Sequence, residues 1–141
     1  MPHIATVSTE LELGLVVPGG PSLPVLAHLS YAAADPWAVR VAFRTGGEGT
    51  RPVEWLFGRQ LLTDGMSAAV GDGDVRVWPA VDGHGPVVHL AMASPSGSAL
   101  FEIDRDEVAA FLGQTYRLVS AGSESQRVDL DAELGALLGR R

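Results

Sequence analysis

Val39–Thr45 (VRVAFRT) followed by Val53–Leu62 (VEWLFGRQLL), and Val88–Ser94 (VHLAMAS) followed by Ala99–Phe111 (ALFEIDRDEVAAF), share one plan. In each pair a strand pattern leads through a loop to a second strand, which runs straight into a helix. Val39, Val41 and Phe43 alternate with Arg40, Ala42 and Arg44, and Val53, Trp55 and Phe57 form one side of the next run. This period of two marks half-buried strands. Arg59 and Arg105 hold equivalent places just after the last strand of each unit. A repeat of strands closed by a helix predicts an α+β fold: two similar antiparallel sheets with helices at their ends.

The rest of the chain extends this plan to about seven strands and three helices. Val7, Thr9, Leu11, Leu13, Leu15 and Val17 face one way while Ser8, Glu10 and Glu12 face the other, and Pro18-Gly19-Gly20-Pro21 ends that strand. Val25, Ala27, Leu29 and Tyr31 line a second strand before the turn at Asp35-Pro36. A helical stretch over Arg59–Asp64 stops at Gly65, where a left-handed cap is expected. Asp104 caps a longer helix, with Glu107 three residues on and Val108, Phe111 and Leu112 as its inner stripe. After a polar linker at 120–126, Leu130, Leu134, Leu137 and Leu138 recur at helical spacing behind Asp129. A closing helix over 129–138 is therefore expected. So short a helix needs a packing partner, either its own sheet or a second subunit.

With 141 residues the chain has the size of one domain, spanning 1–141. It has no cysteine, which excludes disulfides, a thiol nucleophile and cysteine-ligated zinc. All ten basic residues are arginine, lysine and asparagine are absent, and Ile4 and Ile103 are the only isoleucines. The missing types have AT-rich codons, so the composition points to a GC-rich, bacterial genome. Met1-Pro2-His3-Ile4 does not read as a secretory signal, with the first basic residue at Arg40. No apolar run reaches bilayer length. A soluble, cytoplasmic protein is expected.

No constellation for catalysis emerges. Asp72, Asp74, Asp82, His84 and His89 include metal-ligating types, but Asp82-Gly83-His84-Gly85 has the composition of an ordinary hairpin turn. The serines lack a nucleophile-elbow or S-x-x-K context, and Gly46–Gly49 lacks the lysine of a phosphate cradle. Neither a metal nor another cofactor is implied. Nucleic acid is the stronger rival, because Arg40, Arg44, Arg51, Arg59 and Arg76 interleave with Trp37, Trp55 and Trp78. The net charge of −7 opposes it. Trp37 and Trp55 also occupy apolar phases of their strands and read as core. The remaining expectation is a protein that works by contact with other proteins, its spare apolar surface available for self-association.

Five segments carry a family resemblance: Leu23–Tyr31, Asp35–Val39, Val53–Leu62, Gly71–Pro79 (GDGDVRVWP) and Ser94–Leu100. Together they resemble the SsgA-like proteins, sporulation-linked cell-division regulators of actinomycetes. The likeness covers nearly the whole chain, and GDGDVRVWP is its most specific piece. Gly58 and Gln60 depart from the Ala and Asp expected there, at a helix start. The short ends and Val7–Leu11 are most similar to the SsgB branch. The resemblance implies no catalysis and no cofactor. It implies a Whirly-like fold, a homotrimer and positioning of septum sites. It further implies recruitment or organisation of the tubulin-like protein FtsZ in concert with an SsgA-type paralogue. Whirly proteins bind single-stranded nucleic acid, but a fold does not carry its function with it.

Overall fold

The computed structural model describes residues 5–44, 53–71 and 73–125. In chain order the elements are β1 (Thr6–Leu15), β2 (Leu23–Ala32), β3 (Asp35–Phe43), β4 (Val53–Gly58), α1 (Arg59–Gly65), β5 (Val75–Asp82), β6 (Gly85–Ser94), β7 (Gly97–Asp104) and α2 (Arg105–Leu118). The two units foreseen from the repeat are β3-β4-α1 and β6-β7-α2, and the structure adds a preceding strand to each, β2 and β5, so that each half is an antiparallel meander feeding a helix. They do not form two sheets. The strands make one seven-stranded sheet in the order β4-β3-β2-β1-β7-β6-β5.

β1 is the reason. It pairs with β2 along its whole length, and its last residues also pair with β7, Gly14 opposite Glu102 and Leu15 opposite Phe101. The Val16 amide extends this seam by donating to the Leu100 carbonyl at 2.8 Å. Backbone groups at the end of β1 would otherwise need other partners, so the strand joins both halves.

The sheet curls tightly about that seam. Phe43 on β3 and Phe101 on β7 lie three strands apart in the pairing order, yet their rings stack at 4.6 Å with an 11° interplanar angle. In a flat sheet, spacings of about 4.8 Å would separate them by roughly 14 Å. The concave face thus holds the core, including Leu13, Leu29, Val39, Val41, Val77, Val88 and Leu90. From the helices, Leu62, Val108, Phe111 and Leu112 fill it. The convex face carries the outward residues of every strand.

The long helix starts as expected, with the Glu107 amide donating to Asp104 Oδ1 at 3.1 Å. Gly65 behaves differently from expectation. It lies inside α1 and has no positive φ. A Cβ here would overlap the Val77 side chain, so glycine lets the helix of the first unit lie directly on β5 of the second. Among the described residues there are two bounded helices; the third, expected at 129–138, lies outside them. The linker expected at 120–126 is shorter than its polarity suggests, because Glu124 and Ser125 already have helical backbone and Glu124 is buried.

Trp37 also departs from its strand phase and is 54% exposed. Ala32 pairs with Asp35 and Ser30 with Arg40, leaving Pro36, Trp37, Ala38 and Val39 opposite Tyr31 alone. Such a bulge re-aims side chains. Pro36 is the residue that turns inward, and its carbonyl accepts a 2.8 Å hydrogen bond from the buried Tyr31 hydroxyl. Trp55 is half-buried and packs against the core, as its phase indicates.

Candidate interaction surface

The charged residues divide into those that hold the fold and those left at the surface. Arg59 belongs to the first group. It begins α1 and is 1% exposed. Its Nη1 donates to the carbonyls of Thr115 at 3.1 Å and Val119 at 2.7 Å, and its Nη2 meets Glu124 Oε2 at 2.7 Å. The guanidinium lies between two rings, 4.9 Å from the Tyr31 centroid and 4.0 Å from that of Tyr116. A cation of α1 thereby closes the carbonyl end of α2, where the helix dipole favours positive charge. The Thr63 hydroxyl, 2.6 Å from the Tyr116 hydroxyl, adds a second tie between the helices.

The hydrogen bond from Arg59 holds the Glu124 carboxyl below the usual carboxylate range. Burial raises the Tyr31 hydroxyl above its ordinary value, keeping it a neutral donor. A carboxylate with a depressed folded pKa stabilises the fold fully above its unfolded pKa, and that stability is lost as pH falls through the folded value. The melting-temperature gap between wild type and Glu124→Gln should therefore stay constant above about pH 5 and shrink below about pH 4, given an unfolded glutamate near 4.3. A gap that does not narrow on acidification would contradict the assignment.

The residues considered for a metal are used otherwise. Asp82 Oδ1 accepts the amides of His84 at 2.7 Å and Gly85 at 3.1 Å, closing the β5–β6 hairpin. His89 Nε2 lies 3.1 Å from Glu102 Oε2, and Ser22 Oγ donates to the other oxygen of Glu102 at 3.1 Å. Asp74 lies apart from both, before β5; Asp72 lies outside the described residues.

The arginine and tryptophan set does not converge either. Arg59 is sealed in the interior. Arg40 is exposed on β3 and Arg44 just after it, Arg76 is exposed on β5 in the other half, and Arg51 lies outside the described residues. Leu130, Leu134, Leu137 and Leu138, the candidate assembly residues, lie outside them as well.

What the convex face does assemble is a row across β5, β6 and β7. Trp78, His89 and Glu102 are direct cross-strand neighbours. The Trp78 and His89 rings meet edge to face at 5.4 Å and 87°. Arg76 places its guanidinium carbon 5.8 Å from the Trp78 ring centre. One row along, Ala91 stands between Arg76 and Leu100. Its small side chain leaves a groove of about 780 Å³, walled by Val16, Pro18, Trp78 and Leu100. Sequence reasoning singled out Arg76, Trp78 and His89, each for a different role, but not Glu102, Ala91 or Leu100, and not their meeting, which depends on strand register.

A family profile described as "Streptomyces sporulation and cell division protein, SsgA" matches residues 25–124. The chain belongs to the SsgA family. Similar relatives include the sporulation-specific cell division protein SsgB of Frankia casuarinae, 53% identical over 133 residues, covering 94% of this chain and 92% of the relative. SsgB of Streptomyces coelicolor is 47% identical over 133 residues, covering 94% of this chain and 96% of the relative. Among solved structures, the SsgA-like sporulation-specific cell division protein of Thermobifida fusca superposes with a TM-score of 0.86 at 41% identity, covering 96% of this chain and 98% of that one. A second, described as "Mutations in SsgB correlate to longitudinal cell division during sporulation of Streptomyces coelicolor", gives 0.83 at 46% identity and covers 90% and 99%. The family resemblance carried by the five segments is thus confirmed, and the SsgB branch is represented among the relatives. With family membership comes a place in sporulation-linked cell division. No helix among the described residues is long and apolar enough to cross a membrane.

Proposed function

We propose that this protein is a non-enzymatic adaptor of sporulation-specific cell division, which helps position septum sites and recruit or organise FtsZ. The observation that carries this reading is the 53% identity to a protein named SsgB over nearly the full length of both chains. The geometry supports it: Arg59, Glu124, Asp82, Asp104, His89 and Glu102 are engaged with one another or with backbone. The surface left over offers shape and apolar area. In this reading residues 1–141 act as one domain with a Whirly-like fold, in the cytoplasm at septum sites, alongside an SsgA-type paralogue. The domain assembles as a homotrimer, with Leu130, Leu134, Leu137 and Leu138 of a third helix at 129–138 in packing or assembly. Repeated copies of one surface multiply weak contacts with a polymer by raising effective concentration.

Co-sedimentation with FtsZ polymers tests the partner: the protein should be enriched in the pellet, and recovery no greater than without FtsZ removes direct binding. Light scattering should show a discrete trimer, and a monomer at micromolar concentration opposes the assembly. A second reading, binding of single-stranded nucleic acid, has the exposed Trp37 and the exposed Arg40 and Arg44 in its favour. The net charge of −7 works against it. Fluorescence anisotropy with oligonucleotides at two salt concentrations separates the two: tight binding that weakens steeply with salt would favour nucleic acid.

A further inference from the structure

We propose that the groove beside Trp78 is a docking site for a partner-protein segment that presents an apolar side chain next to a carboxylate. This deepens the adaptor reading and rests on it. Gly73, Asp74, Arg76 and Trp78 build one wall, and the residues around them have separable duties. Gly71, at φ +103°, lies where a Cβ would overlap the Val75 carbonyl, so it shapes the turn into β5. Val77 is buried and Val75 packs against the core. Pro79 sits mid-strand at the sheet edge, where a missing amide discourages edge pairing. Val70 covers the same edge through a two-way bridge to Val77. Those residues complete the fold without Arg76 and Trp78, which point outward.

The side chains define what would fit. Leu100, Ala91, Val16 and Pro18 supply an apolar floor and wall. Trp78 adds a large ring that meets the edge of His89, which bonds Glu102, itself held by the Ser22 hydroxyl. Arg76 forms no ion pair among the described residues, and the cation–π contact with Trp78 is its recorded side-chain interaction. A guanidinium held near an aromatic ring has N–H groups able to take a carboxylate in two parallel hydrogen bonds. Tryptophan and arginine around a small apolar depression match the composition of protein-interface hot spots. Asp74 at the rim and Glu102 in the supporting row favour a polypeptide over a polyphosphate backbone.

The probe is a short fluorescein-labelled peptide alternating leucine or phenylalanine with glutamate, beside a version with glutamine for glutamate and an oligothymidylate. Wild-type protein should bind the acidic peptide saturably by anisotropy. Trp78→Ala and Arg76→Gln should each weaken it about tenfold, while Leu56→Ser on the other half of the convex face leaves it unchanged. The glutamine peptide should lose the same factor, and that loss should not add to the loss from Arg76→Gln, as for two partners of one contact. Trp78→Phe, which keeps an aromatic ring, guards against misfolding and should retain most of the affinity. No binding by wild type overturns the proposal, as do equal binding by the Arg76 and Trp78 variants or tighter binding of oligothymidylate. Dissociation of a wild-type oligomer by Trp78→Ala also overturns it, because a second copy would then occupy the groove. FtsZ co-sedimentation unaffected by Trp78→Ala would leave the adaptor reading standing without this site.

Discussion

Replacing Arg59 by methionine is expected to destabilise the fold by about 3–5 kcal/mol, the usual cost of stranding one member of a buried ion pair. The loss has three parts. Glu124 keeps its burial but loses its cation, the Thr115 and Val119 carbonyls lose their donor, and the Tyr31 and Tyr116 rings lose the group between them. The double variant Arg59→Met with Glu124→Leu should recover much of the deficit, since a buried pair replaced by apolar residues of similar volume is often near neutral. Urea unfolding of the two single variants and the double yields the coupling energy directly. Purely additive effects would show that the two residues do not act as a pair. The same comparison tests what the pair is for. If it serves register and not stability, the double variant should be stable yet show faster amide exchange in the turn 119–125.

Truncating Phe101 to alanine should cost about 3–5 kcal/mol as well, at the level of a buried aromatic lost to a cavity. Phe101 is 5% exposed, and it does more than fill space. It stacks on Phe43 across the interior, and its backbone pairs with Leu15 at the narrow contact between the halves of the sheet. Local hydrogen exchange should therefore rise first at the Val16 amide and at 97–101, ahead of global unfolding. Truncating the exposed Leu56 gives the contrast, with a change inside about 0.5 kcal/mol. A Phe101→Ala protein as stable as Leu56→Ala would mean that the seam carries little of the fold's stability.

The family could be recognised from five segments of sequence, and the comparisons agree, but the candidate surface was visible only in fragments. GDGDVRVWP could be read as a strand with Val75 and Val77 on one side, which leaves Arg76 and Trp78 on the other. That Trp78 stands beside His89, and Arg76 across Ala91 from Leu100, follows from pairings that local pattern does not specify. Arg59 is instructive in another way. An arginine opening a helix with no acidic residue in the first turn runs against the dipole, and that anomaly was a usable signal. What resolved it was a glutamate 65 residues later, in a stretch whose polarity reads as linker.

Alone, the amino-acid order settled the strands, the strand-loop-strand-helix repeat, the capped start of α2 and the absence of cysteine chemistry. Each depends on residues within a few positions of one another, where side-chain alternation and capping act directly on the backbone. The three-dimensional fold decided whether the two units closed separately or joined through β1, how far the sheet curled, which tryptophan turned outward and which arginine was sealed inside. Those outcomes depend on contacts between residues far apart in the chain. A period of two shows that a strand has two faces, whereas only packing decides what each face meets.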